Sequence, residues 1–138
     1  MDLRIEARQG HANKRVQRGS PFFAETTLEW AHGRCAWFAL SAHRAYGWKL
    51  LGFFDQTGAI RHVACMTPIG ILDAYGLGKE ADVSEAFMAM GMAEPFAMRD
   101  ASEAEICETF ELHDEAEAIA DAIHVVNRVL NHIGAEPS

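Results

Sequence analysis

"IRHVACMTPIGILDAY", residues 60–75, reads as two strands folded on the turn "TPIG". Branched and apolar residues fill both runs, and proline cannot continue a ladder, so the chain reverses there. With Pro68 and Ile69 as a two-residue loop, Thr67 faces Gly70, Asp73 faces Ala64 and Tyr75 faces His62. Side chains alternate along a strand, so His62 and Ala64 share one face. Asp73 then becomes a diagonal neighbour of His62, about 7 Å or less away between Cβ atoms. A left-handed bulge at Gly70 would make the loop three residues long and swing Asp73 to the opposite face. The expectation adopted is the even loop, with His62 and Asp73 side by side.

Upstream, "WKLLGFF" (residues 48–54) reads as a further strand, joined to residues 60–67 by the turn "DQTG". Before it, residues 35–46 are apolar on most sides through Ala42, as befits a helix buried centrally, and Gly47 stops it. After the strands, Asp82 with Glu85 and Ser102 with Glu105 have the spacing of capping boxes that open short helices. From about Asp114 to Ile133, a longer helix sets Ile119, Ile123, Val126, Leu130 and Ile133 on one face, with Gly134 and Pro137 ending it. The sum is an α+β domain: a central helix, an antiparallel meander, then C-terminal helices.

The chain of 138 residues suits one domain, which would bury roughly two thirds of the surface its unfolded chain exposes. Three parts are expected: a basic arm over 1–20, a core over 30–76 and an acidic helical part over 80–134. The arm has five bases against two acids, whereas Glu80 to Asp121 has thirteen acids and one base, Arg99. A net charge of −8 opposes the phosphate field of nucleic acid, so nucleic-acid partners are not expected and a basic protein partner is easier to accommodate. No apolar run reaches the roughly 20 residues of a membrane span, and the N-terminus lacks the apolar core of a signal peptide. A cytoplasmic location with no membrane partner is therefore expected.

Cys35, Cys65 and Cys107 are an odd number without a C-x-x-C pair, which indicates reduced thiols rather than disulfides or a zinc knuckle. The histidines other than His62 show no ligand spacing with a plausible third partner, so neither a metal nor another cofactor is expected. The methionines of "EAFMAMGMAEPFAM" (residues 85–98) read as adaptable packing.

Cys35 stands apart because it opens a helix behind Gly33 and Arg34. Unpaired N–H groups at such a position stabilise a thiolate, a nearby histidine can take the proton, and a carboxylate on the far ring nitrogen fixes the imidazole. Cys35, His62 and Asp73 would fill each role once. The competing readings are a small core cysteine, a histidine satisfied by one backbone bond and an aspartate that merely begins a turn.

"GRCAWFA", "RHVACM" and "ILDAYG" together resemble the core of the transglutaminase-like and papain-like cysteine enzymes, over Trp30 to Gly76. "GRC" is also similar to the segment around the nucleophile of arylamine N-acetyltransferases. The resemblance implies a helix that starts at the nucleophilic Cys35 and packs on an antiparallel sheet supplying His62 and Asp73. It implies a hydrolase or acyltransferase acting on a peptide, a protein or a small amide or thioester. Trp30 and Trp37 are the candidate substrate-binding residues; the Cys35 N–H is a candidate oxyanion donor, with the Trp30 indole or an upstream amide as the second. The chain is far shorter than typical members of these families and has no glutamine just upstream of Cys35. The alternative is a non-catalytic protein of the same fold, such as an inhibitor or anti-defence protein, engaging a basic partner through its acidic surface.

Overall fold

The computed structural model describes residues 3–5, 34–74, 76–83, 97–112 and 116–137. Among these the chain is α+β. Strand β1 (Leu3–Ile5) precedes helix α1 (Cys35–Tyr46). Strands β2 (Lys49–Phe54), β3 (Ile60–Thr67), β4 (Gly70–Asp73) and β5 (Gly76–Gly78) then form the meander. A helical turn at residues 80–83, strand β6 (Ala97–Asp100), helix α2 (Glu103–Thr109), helix α3 (Ala116–His132) and strand β7 (Ala135–Pro137) complete the order.

The main sheet has five antiparallel strands in the order β5-β4-β3-β2-β6. Its β3–β4 hairpin has the even loop, with Thr67 opposite Gly70 and Cys65 opposite Leu72. Helices α1 and α3 pack together on one face. There Phe38, Ala39 and Leu40 meet Leu50, Phe54, Ile60, Val63, Cys65 and Leu72, while Ala122, Val126, Val129 and Leu130 close the layer. Leu51, Phe53, Ala64 and Ile71 point to the other face and pack with Val83. Both faces of the central strands are thus covered, which explains why β3 is buried at every position except Arg61 and Met66.

Helix α1 ends as expected: Gly47 is left-handed, with φ of 74°, and its N–H donates to the His43 carbonyl at 2.8 Å. Ser102 caps α2 through a complete capping box, accepting from the Glu105 N–H while Glu105 accepts from the Ser102 N–H. The carboxylate of Glu103 accepts two bonds from Arg44, at 2.7 and 3.2 Å, and ties α2 to the end of α1.

Four expectations change. The acidic part is not wholly helical, because Ala97–Asp100 joins the sheet beside β2. Asp82 is not a cap residue: its carboxylate reaches back to the Lys79 N–H at 2.8 Å, so the helical turn starts earlier. Pro137 does not simply terminate α3 but pairs with Leu3, which also makes residues 3–5 of the basic arm a strand. The buried face of α3 is rotated toward Ala118, Ala122 and Val129, leaving Ile119 and Ile123 only half-buried. Ala122, Val126, Val129 and Leu130 belong to the core cluster, and Ile119 and Ile123 pack at its margin.

Candidate active site

The site begins with a local irregularity in β3. From Lys49 opposite Met66 to Phe53 opposite His62 the β2–β3 ladder is regular, but Phe54 then faces Ile60. Arg61 is therefore an extra residue, a β-bulge. It places Ile60 in the core against α1, while His62, only two residues later, lies beside Phe53. The Phe53 and His62 ring centroids are 5.6 Å apart, tilted by 43°.

The even β3–β4 loop brings Asp73 alongside. Nε2 of His62 lies 3.3 Å from Oδ2 of Asp73, longer than the roughly 2.7–2.9 Å of a tight charge-assisted bond. Cys35 opens α1 and is the other group that acts on the imidazole by hydrogen bonding and charge. The three side chains come from one helix start and two adjacent strands, and all are buried: Cys35 is 3% exposed, His62 0% and Asp73 1%.

Burial is the largest single influence on His62 and acts to expel its proton. The ring's bonds to Asp73 and to Cys35, with the charges of both, together outweigh burial, and the pKa rises from 6.5 to about 9. The imidazole is thus held as a cation at neutral pH between two groups that favour the charge. Cys65 is the contrast. Burial pushes its thiol up to about 12, and its Sγ donates to the Ala39 carbonyl at 3.2 Å. It is an inert core cysteine.

At the start of α1 the cap residue Arg34 makes no side-chain capping bond, and the first turn carries no acid. The first intrahelical bond runs from the Phe38 N–H to the Arg34 carbonyl. The amides of Cys35, Ala36 and Trp37 therefore precede that bond, in the first turn that Cys35 opens. Trp37 is half-buried and packs against the core cluster. Trp30, the other residue expected to bind substrate, lies outside the described residues, as do Gly33 and the methionines at 88, 90 and 92.

Among the described residues no group of three or more His, Cys, Asp or Glu side chains is arranged to hold a metal ion, and no helix is long and apolar enough to cross a membrane. Sequence reasoning missed the Arg61 bulge and the ring of Phe53 against His62. The only hint was Gly52, a glycine inside a strand pattern, which often marks close approach or irregular pairing. No family model, curated protein or solved structure matches the chain.

Proposed function

We propose that the protein is a cysteine acyl-transfer enzyme of a minimal papain-like or transglutaminase-like design, in which Cys35, His62 and Asp73 act on an amide or thioester. The observation that carries this reading is the buried imidazole shared by Asp73, on its Nε2, and by a thiol at a helix N-terminus. Sγ of Cys35 attacks the acyl carbonyl and forms a C–S bond. Negative charge gathers on the carbonyl oxygen, where the amides of the first turn of α1 can donate to it. The carbonyl re-forms as the bond to the leaving amine or thiol breaks, and that group takes the proton held by His62. Water or an amine next attacks the acyl-cysteine and gives its proton to His62, and the C–S bond breaks. Asp73 keeps the ring oriented and stabilises its positive charge in both half-reactions.

Incubation with a small acyl thioester, followed by mass analysis of the peptide containing Cys35, tests the first half-reaction. An acyl adduct on Cys35 is expected, disappearing in Cys35→Ala and forming about 100-fold or more slowly in His62→Ala. Absence of the adduct in the folded protein across amide and thioester donors contradicts the reading.

The depth of the site favours a second reading, since 3%, 0% and 1% exposure leaves little approach to the thiol. In that case the cluster is a buried polar anchor, and the protein binds a basic partner through its acidic surface. Salt-sensitive binding to a basic protein, unaffected by Cys35→Ala, distinguishes this reading.

A further inference from the structure

The geometry points to Asp55 and Arg61 as positioning residues for His62, their ion pair holding out the one extra residue that aligns the imidazole with Asp73. Arg61 is the bulged residue, and His62 is the first residue of the regular ladder after it. An uninterrupted ladder would set Arg61 opposite Phe54, among the apolar residues that meet α1, and would turn Ile60 out of the core. Instead the half-exposed Arg61 lies outside and its Nε reaches Oδ2 of Asp55 at 3.0 Å.

Asp55 is fixed from the other side. Its Oδ1 accepts from the Thr57 N–H at 2.8 Å, the Ala59 N–H at 3.2 Å and the Thr57 hydroxyl. Its own N–H donates to the Ala59 carbonyl at 3.0 Å, and Gly58, left-handed at φ 85°, donates to the Asp55 carbonyl at 3.1 Å. The carboxylate has only 6% of its side chain exposed. One oxygen therefore fixes the loop and the other fixes the bulge. At 3.3 Å the His62–Asp73 bond has little tolerance, so a displacement of a few tenths of an ångström at the bulge breaks it.

This inference deepens the proposed function, but its test reads the imidazole directly. The full chain, with 15N-labelled histidine rings, is titrated by NMR as wild type, Asp55→Asn, Arg61→Ala and the double variant. Asn keeps the carbonyl oxygen that the Thr57 and Ala59 amides use, so the loop is retained while the bond to Arg61 is lost. The His62 midpoint is expected to fall by about one pH unit, a tenfold loss of proton affinity, in both single variants, and no further in the double variant. A through-space charge effect alone would act with opposite signs, lowering the midpoint when Asp55 is neutralised and raising it when Arg61 is removed. That pattern, or wild-type midpoints in both single variants, overturns the inference. If Arg61→Ala does not fold, Arg61→Lys replaces it. Lys keeps the cation but lacks the Nε–H, so an intermediate midpoint supports the inference and a wild-type midpoint overturns it. Absence of Cys35 acylation in the wild type, with the His62 midpoint falling in both single variants, would count against the acyl-transfer reading alone.

Discussion

Raising the pH through the alkaline range should weaken the fold, because the native state holds a proton that the unfolded chain releases. His62 has a pKa of about 9 in the folded protein against 6.5 for an exposed histidine. For a group raised on folding, the added stability is fully present below 6.5 and is lost as the pH climbs through 9. The gap of 2.5, at 1.36 kcal/mol for each pH unit, is worth roughly 3 kcal/mol. Against a total stability of about 5–15 kcal/mol for a small domain, this is a large fraction. Urea unfolding between about pH 6 and about pH 10, compared with His62→Gln, isolates the contribution, since other titrating groups contribute to both proteins. The difference between the two stability curves should shrink by up to roughly 3 kcal/mol, with its steepest part between 6.5 and 9. A difference that stays flat, or grows with pH, would show that burial rather than Asp73 and Cys35 controls the ring, and that His62 is neutral when folded.

Two further outcomes concern the frame that holds the site. Gly52→Ala should lower the urea midpoint by the equivalent of about 1–3 kcal/mol, because its Cβ would stand 2.6 Å from the Phe54 ring, which is buried and carries the Arg99 guanidinium 3.7 Å above it; an unchanged midpoint would mean that the ring can retreat. Ser102→Ala removes one half of the capping box of α2 and should cost about 1 kcal/mol in the same assay, with Ser102→Asp close to wild type.

Much of the frame was legible because the informative residues act locally. Gly47 ends α1 by its own left-handed backbone, Ser102 and Glu105 satisfy each other, and the proline of "TPIG" sets a two-residue loop that decides the face of Asp73. What escaped depends on partners distant in sequence. "GLG" (76–78) and "AMRD" (97–100) carry no alternation, and only the sheet edges beside β4 and β2 make strands of them. The Arg61 bulge arises because Ile60 and His62, two residues apart, are drawn to opposite faces, and alternation alone puts them on one. Ala118 and Ala122 contribute little to a hydrophobic pattern, yet both are buried once α3 is packed, because their covering comes from elements distant in sequence. The candidate triad was readable as three residue types at three element positions. The depth at which it is buried was not, because burial belongs to the assembled layers.

The role of Cys35 as a nucleophile served by His62 can be read from native-state alkylation with iodoacetamide from about pH 5 to about pH 9, followed at each cysteine by peptide mass. Cys35 should react fastest and keep reacting below neutral pH, with Cys65 silent until the protein unfolds, and His62→Ala should confine the reaction of Cys35 to the alkaline end. Reaction of Cys35 in the folded protein with the pH profile of an ordinary thiol, unchanged by His62→Ala, would show that His62 does not serve the thiol.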